Sequence, residues 1–345
     1  MYEPPNLAGE TIAGALFAHY AISADALTFL PLGNDSATAV YRVRASGGTE
    51  YFLKLRAGAS FSAPSLLIPR YLQDQGLPHI LAPLPTVAQA LWVVVDDFAL
   101  TLYPYIDGRI GAEVGLTEQQ WRAFGALMRQ VHAVRLPPAL AQIVPRERFI
   151  PSRRNVIDEL EAAIARQAFA NAAERELAAF WQARRDVIRQ VVDRADRLGE
   201  RLRQAAAPLA LCHADMHPWN VLLEADPTGE QWWLVDWDET ILALKERDLM
   251  FVVGSIGRDL VKPQETACFM QGYGDGEGAT PIDLDALTYY RYAWAVQDIA
   301  AYGEEVFFLP DRSEDSRRKA LQGLMSLFEP GNIVDLALSS ARSAA

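Results

Sequence analysis

The sequence predicts an α+β protein with a strand-rich first part and a mostly helical remainder. Between 27 and 56, short runs of β-branched and aromatic residues alternate with polar turns, and Gly47-Gly48 separates two of these runs, as in a hairpin. After 117, apolar residues recur at the spacing that places them on one face of a helix. The predicted lobes are 1–103 and 104–345, with a connector near 103–107.

The first lobe is predicted to begin with a helix and to continue as a sheet. Ile12, Leu16 and Tyr20 fall on one helical face, whereas the runs that follow have the composition of strands. A second helix ends at Gly76-Leu77-Pro78, because glycine and proline terminate helices. The predicted elements are a helix at 9–24, strands at 27–30, 39–43 and 51–55, a helix at 64–75, and strands near 80–87, 91–96 and 98–103.

The second lobe is predicted to be helical with a small β insertion. Thr117 is a suitable N-cap for its first helix, and Pro137-Pro138 closes that helix. The segment 103–108 breaks the β pattern before it. The other predicted helices are at 152–169, 171–205, 246–256, 263–271, 283–308 and 313–328, and the inserted strands are at 209–212, 221–224 and 232–235.

Composition narrows the classes of function. The 345 residues carry a net charge of −12, which disfavours binding to nucleic acid or to an anionic membrane and tolerates cationic ligands. Two cysteines are too few for a disulfide framework. The N-terminus lacks the features of a signal peptide, and no apolar run approaches the roughly 20 residues of a membrane span. We therefore expect a cytoplasmic protein, whose oligomeric state stays open.

The segment 211–223 carries the strongest functional signal. His213, Asp215 and Asn220 have the spacing H-x-D-x-x-x-x-N of a kinase catalytic loop, and Asp236 follows the next apolar run where a metal-binding acid is expected. Asp215 would orient the acceptor hydroxyl or take its proton, and Asn220 and Asp236 would bind Mg²⁺. The pattern predicts phosphoryl transfer by a protein-kinase-like bilobal fold.

Two further residues fit nucleotide binding. Lys54 lies in an apolar strand, at the position of the lysine that contacts nucleotide phosphates, although a lysine on the outer face of an edge strand is the simpler alternative. Ser36 lies in a turn with a single glycine, where its hydroxyl could contact phosphate. A zinc site at 212–217 is disfavoured, because no second Cys/His pair exists elsewhere. His213 and His217 are instead expected to brace the loop.

These segments resemble the aminoglycoside phosphotransferase family, small-molecule kinases with a protein-kinase-like fold, and most closely its spectinomycin phosphotransferase branch. The resemblance rests on 51–55, 102–108, 212–223, 235–238, 244–251 and 290–300. It implies that the backbone around Leu102, Tyr103 and Tyr105 contacts adenine and that the helices after Gly108 form the acceptor site. There are two departures: the helix at 64–75 carries no acid before Asp74, and Trp219 replaces a small residue.

We therefore expect an ATP- and Mg²⁺-dependent kinase that phosphorylates a hydroxyl of a cationic, aminoglycoside-like small molecule. Candidate acceptor-binding residues are Asp238 and Glu239, which follow the metal-binding acid, and Asp298 and Tyr302, which share one helical face. The alternatives are a metabolic kinase for a sugar, choline-like or homoserine-like alcohol, and a nucleotide-binding module without catalysis. The presence of Asp215, Asn220 and Asp236 together argues against a module without catalysis.

Overall fold

A computed structural model of the chain describes residues 5–32, 37–58, 61–225, 231–258, 260–274, 281–309 and 312–343. Its backbone contacts divide the chain into two compact units. The first comprises Met1–Gln120, Leu127–Pro145 and His213–Thr240, and the second Trp121–Ala126, Arg146–Cys212 and Ile241–Ala345. The predicted catalytic loop and the predicted metal-binding acid therefore lie in the same unit as the N-terminal strands. The functional boundary at 103/104 stays a prediction.

The first unit is built on a five-stranded antiparallel sheet in the order β1-β2-β3-β5-β4. In β3, Leu53 and Leu55 are fully buried, while Lys54 and Arg56 lie on the opposite face, because side chains alternate along a strand. The strands are β1 (Ala24–Leu30), β2 (Thr38–Ala45), β3 (Glu50–Ala57), β4 (Val93–Val95) and β5 (Phe98–Pro104). This arrangement confirms the strand-rich first part.

The N-terminal helix α1 (Gly9–Tyr20) packs on the sheet through Ile12 and Leu16, which join the buried cluster formed by the inner faces of β2, β3 and β5. The helix is shorter than the predicted 9–24. Ala21 adopts a left-handed conformation with φ 55°, and its N–H caps the last turn of α1. This turn leads directly into β1.

The rest of the first unit contains α2 and a second sheet, of order β6-β8-β9, which carries the catalytic loop. The strand predicted at 80–87 does not form, because Pro83 and Pro85 remove ladder donors; only Ile80 makes an isolated bridge, to Leu234. The break predicted at 103–108 ends earlier than expected, since Gly108 already pairs with β8. The elements are α2 (Pro64–Asp74), β6 (Gly108–Ile110), α3 (Gly111–Val114), α5 (Pro138–Ile143), β8 (Val221–Glu224) and β9 (Trp232–Leu234).

The second unit is helical apart from the antiparallel pair β7 (Ala210–Cys212) and β10 (Ile241–Ala243). Its centre is α10, which packs against α6, α7, α11 and α12. The helices are α6 (Arg154–Ala165), α7 (Ala172–Ala205), α8 (Glu246–Leu249), α9 (Pro263–Tyr273), α10 (Leu284–Phe307), α11 (Glu314–Ser326) and α12 (Ile333–Ser343); α4 (Glu118–Ala133) has residues in both units. The helical second part is thus confirmed.

Two helical predictions need correction. The helix predicted at 246–256 ends at Leu249, and the turns after it use positive φ values at Gly254 and Ser255. The C-terminal helix α12 was not predicted. None of the helices in the described ranges combines the length and the apolar content needed to cross a bilayer.

Candidate active site

The predicted catalytic loop is fixed by a fully buried histidine, His213. The Nδ1 atom of His213 accepts a hydrogen bond from the Asp215 N–H at 3.3 Å, and its Nε2 atom lies 3.0 Å from the Val235 carbonyl. Because the Nδ1 atom accepts, the Nε2 atom donates to the carbonyl. The ring also packs on Trp237, with centroids 4.6 Å apart. His213 therefore ties the loop to the segment that follows β9, as predicted for a bracing residue.

Two side chains hold the Asp215 carboxylate. Asn220 Nδ2 donates to Asp215 Oδ2 at 2.9 Å, and His217 Nε2 lies 3.1 Å from Oδ1. His217 thus braces the loop through the Asp215 carboxylate. Burial alone would raise the pKa of Asp215, but the hydrogen bond and charge of His217, with help from His213 and Asn220, lower it. The side chain is still 24% exposed, so an ionised oxygen is accessible from outside.

Asn220 lies at the end of a 3₁₀ turn, Pro218–Asn220, and is fixed at both backbone and side chain. Its carbonyl accepts the Val235 N–H at 2.9 Å, and its Nδ2 group donates to the Asp215 carbonyl at 2.8 Å as well as to the Asp215 carboxylate. Because the NH₂ group faces Asp215, the amide oxygen faces away and remains suitable as a ligand for a hard cation.

Asp236 follows β9 in a left-handed conformation with φ 63°, which is unusual for a residue other than glycine and common at functional sites. Its carboxylate is 48% exposed and lies 3.6 Å from Lys54 Nζ. Partial burial raises the pKa of Asp236 to about 6; Lys54 opposes this shift, and the neighbouring carboxylates of Asp238 and Asp215 add to it. The site therefore has an excess of carboxylate charge around Asp236.

Lys54 has a partner in Asp238, not in α2. Its Nζ atom donates to Asp238 Oδ2 at 2.8 Å, and Arg56 Nη2 donates to the same oxygen. Burial alone would raise the pKa of Asp238, but the charges of Lys54 and Arg56 outweigh it and hold the pKa well below its usual range. The simpler alternative, a lysine on an outer strand face in solvent, is therefore wrong: the side chain is only 20% exposed and is ion-paired.

Comparison with known proteins agrees with this geometry. Residues 28–287 match the phosphotransferase enzyme family APH. The chain belongs to this family. No curated protein sequence matches it. Among solved structures, the spectinomycin phosphotransferase APH(9)-Ia in complex with ADP and spectinomycin has 29% sequence identity and a TM-score of 0.82, with 98% of this chain and 99% of that chain covered.

A second complex of the same phosphotransferase, with AMP, has 29% identity and a TM-score of 0.79 over 96% of this chain and 98% of that one. The amicoumacin kinase hAmiN, in complex with AMP-PNP, Ca²⁺ and Ami, has 17% identity and a TM-score of 0.63 over 95% of each chain, which shows a shared fold. The chain described here is accordingly a phosphotransferase of the APH family with the protein-kinase-like fold.

The predicted adenine segment of this APH phosphotransferase lies at the end of β5. The Leu102 carbonyl accepts the Leu84 N–H at 2.7 Å, and the Tyr105 N–H donates to the Glu50 carbonyl at 3.3 Å. Pro104 has no N–H to offer. Tyr103 pairs with Phe52 in the β3–β5 ladder, so the contact of this segment with adenine stays a prediction. Ser36, the predicted phosphate contact, lies outside the described residues.

The predicted acceptor residues fall in different environments. Glu239 is exposed, in the loop after Asp238. Asp298 and Tyr302 lie on α10 in the second unit, where the Tyr302 ring packs against α11 beside Gly323. Burial raises the pKa of Tyr302, and the charge of Asp298 raises it further. Their roles in acceptor binding stay predictions.

Sequence reasoning missed Arg56 and assigned Asp238 only to the acceptor. One signal was available for Arg56: it lies two positions after Lys54, so both cations point to the same face of β3. No local pattern identified their shared partner, because Lys54 and Asp238 are separated by 184 positions.

Proposed function

We propose that this APH-family kinase transfers the γ-phosphoryl group of ATP, with Mg²⁺, to a hydroxyl of a cationic aminocyclitol-like small molecule. The observation that carries the reaction is the arrangement of Asp215, Asn220 and Asp236. A hydrogen bond joins the first two. The bond between His213 and the Val235 carbonyl, and the bond from the Val235 N–H to the Asn220 carbonyl, fix the loop beside the third. A protein that had lost catalysis would have no need to keep this set together.

Asp215 is the residue proposed to act on the acceptor. Its lowered pKa keeps the carboxylate ionised at neutral pH, and the hydrogen bonds from Asn220 and His217 fix its orientation. The exposed part of the carboxylate can accept a hydrogen bond from an incoming hydroxyl and align it for in-line attack. General-base and orienting groups of this kind contribute roughly 10²–10⁴-fold to rate.

Asn220 and Asp236 are the residues proposed to hold Mg²⁺. An amide oxygen and a carboxylate are both hard oxygen ligands, which Mg²⁺ prefers. The excess of carboxylate charge around Asp236 also favours a cation at this position. When bound, the ion would neutralise phosphate charge; the protein's own part is to fix the two ligands, through the Val235 N–H bond to Asn220 and the left-handed backbone at Asp236.

The class of acceptor rests on similarity and on charge. The structure of a relative at 29% identity, aligned over nearly the whole of both chains, contains spectinomycin. The net charge of −12 favours a cationic ligand over an anionic one. The exposed Glu239 is one carboxylate beside the catalytic segment that can contact an ammonium group, and Asp298 and Tyr302 remain candidates on α10.

A test of this proposal measures ADP release with ATP, Mg²⁺ and a panel of acceptors. The panel contains spectinomycin, other aminocyclitols and aminoglycosides, ethanolamine, choline, homoserine and neutral sugars. We expect turnover to be fastest with a polyhydroxylated amine, and its KM to rise with salt, because ions screen the attraction of carboxylates for the amine. Faster turnover of a neutral sugar or a simple alcohol would overturn the acceptor class and favour a metabolic kinase.

The matched control is Asp215→Asn, which removes one charge and keeps the shape of the side chain. If ADP release persists undiminished in that variant, the activity does not arise from the proposed site. Mass spectrometry of the product, with a gain of one phosphoryl group on the acceptor, separates transfer from ATP hydrolysis.

A further inference from the structure

The strand lysine of this protein lacks the partner that its position in a kinase-like fold calls for. Within α2, which the structure describes completely, the only acidic residue is Asp74, and Asp74 pairs with Arg70 one turn earlier on the same helix. Among the described residues, Lys54 forms ion pairs with two acids of the segment after β9, at 2.8 Å to Asp238 and 3.6 Å to Asp236. The lysine is therefore held by the acidic segment and not by a helix.

We propose that Asp238 is the positioning residue for a pair of phosphate-binding cations, Lys54 and Arg56, and that Arg56 is a second direct contact to the nucleotide phosphates. The proposal rests on the proposed function, since it assigns roles within the same site. In this arrangement two cations contact the phosphates instead of a single lysine, and one carboxylate oxygen of Asp238 orients both side chains.

Arg56 is prepared for this role by its surroundings. Its Nε–H donates to Thr38 Oγ1 at 3.2 Å, across the β2–β3 pair, and its Nη2 donates to Asp238. The side chain is only 12% exposed, so its rotamer is fixed before any ligand arrives. A guanidinium group has five N–H donors in a planar fork, a geometry that matches the oxygens of a phosphate group.

The charges of the cluster fit a polyphosphate. Lys54 and Arg56 carry two positive charges, Asp238 cancels one, and the second acid, Asp236, lies at the longer distance of 3.6 Å from Lys54. A cation bound at Asp236 would neutralise that acid and leave Lys54 and Arg56 to attract the phosphates. When one partner of such a partly buried ion pair is removed, the loss of stability exceeds the net contribution of the intact pair, because the other charge is left unpaired.

The acidic segment also couples phosphate binding to the catalytic loop. Trp237, between Asp236 and Asp238, is 3% exposed and packs on His213, which in turn bonds to Asp215. The carboxylate that orients Lys54 is therefore attached to the same rigid segment as the loop. By contrast, the position of Lys54 does not depend on an ion pair with α2.

The test uses nucleotide binding as well as turnover, in Asp238→Asn, Asp238→Glu, Arg56→Gln and Lys54→Met. The matched control is Asp74→Asn, which removes the acid of α2. Calorimetry with a non-hydrolysable ATP analogue is run with and without Mg²⁺. We expect Arg56→Gln to raise Kd for the analogue by roughly 10-fold, the usual effect of losing a charge-assisted hydrogen bond, in both conditions. Asp238→Asn should raise Kd for the analogue and KM for ATP several-fold, with Asp238→Glu restoring part of the loss and Asp74→Asn changing neither.

The double variant Lys54→Met/Asp238→Asn decides between positioning and other roles. If Asp238 acts through Lys54, the effects of the two substitutions on Kd are less than additive. Additive effects, or a Kd that is unchanged in Asp238→Asn, would overturn the proposal. If Asp238→Asn raised only the KM for the acceptor, the proposal would also fail, and Asp238 would be assigned to acceptor binding. If the variant bound the analogue more weakly only in the presence of Mg²⁺, Asp238 would be a metal ligand instead.

Binding also separates this proposal from the proposed function. If no acceptor is turned over but the analogue binds to the wild type and more weakly to Arg56→Gln, the phosphate site stands and the assigned reaction fails. Thermal unfolding of each variant checks that weaker binding does not reflect an unfolded protein; should Asp238→Asn fail to fold, Arg56→Gln and Asp238→Glu still decide the outcome.

Discussion

Two glycines in the second unit allow a close backbone contact, and replacing either should destabilise the protein. A Cβ added at Gly272 of α9 would lie 2.6 Å from the Arg122 carbonyl carbon, and one added at Gly125 of α4 would lie 2.7 Å from the Tyr273 nitrogen. Both neighbours are backbone atoms of a helix, which rotamer changes cannot move. Contacts below 3.0 Å are essentially absent at real Cβ atoms, so the two helical segments must separate.

The magnitude follows from two opposing effects. Replacing a helical glycine with alanine gains about 1 kcal/mol of helix propensity. Overpacking of a well-packed contact costs about 1–3 kcal/mol or more, and the upper part of this range applies where only backbone can move. We therefore expect Gly272→Ala to lower the free energy of unfolding by about 1–2 kcal/mol, the difference between these two effects.

The control is Gly14→Ala in α1, where an added Cβ would meet no atom within 4 Å. That variant should be more stable than the wild type by about 0.5–1 kcal/mol. Urea unfolding followed by circular dichroism gives both free energies, and Gly125→Ala/Gly272→Ala should be less destabilising than the sum of the single variants. A Gly272→Ala protein as stable as the wild type would refute the close helix contact.

Three further predictions concern the site and its support. Asp215→Asn should lower kcat by several orders of magnitude and leave ATP affinity nearly unchanged, which steady-state kinetics and calorimetry measure; wild-type turnover would show the loop to be misassigned. Asp236→Ala should abolish the Mg²⁺-dependent part of the thermal stabilisation by ATP, and an unchanged shift would place the ion elsewhere. Burial lowers the pKa of His79, whose ring stacks on Trp232. As the pH drops below about 6.5, the unfolded chain therefore takes up the proton first, and the free energy of unfolding falls. The urea midpoint of His79→Asn should differ less between pH 7.5 and pH 5.5 than that of the wild type, and an equal difference would refute this origin.

The features that the sequence predicts well are local. The spacing of His213, Asp215 and Asn220 is set by a single loop, and the hydrogen bonds that join them span at most five positions. The alternation of Lys54 with buried leucines likewise follows from one strand. The prediction failed at 80–87, where an apolar run was interpreted as a strand although its prolines remove the donors that a ladder needs.

The features that the sequence does not reveal depend on contacts between distant segments. Helix propensity and spacing show that α2 lacks an acid, but they do not show which carboxylate replaces it. Any of the acids after β9 could have paired with Lys54, and only the backbone path through Asp236 and Trp237 selects Asp238. Arg56 escaped notice for the same reason, since an arginine on a strand is unremarkable until its partner is known.

The segment 235–238 contacts both the loop that carries Asp215 and the two cations of β3. Val235 bonds to His213 through its carbonyl and to Asn220 through its N–H, which fixes the loop that carries Asp215. One residue later, the left-handed backbone turns the carboxylate of Asp236 outward, and Asp238 then contacts the cations of β3. Because the residues proposed to contact phosphate, metal and the acceptor hydroxyl are all positioned relative to these four residues, in-line geometry could be set within one compact unit.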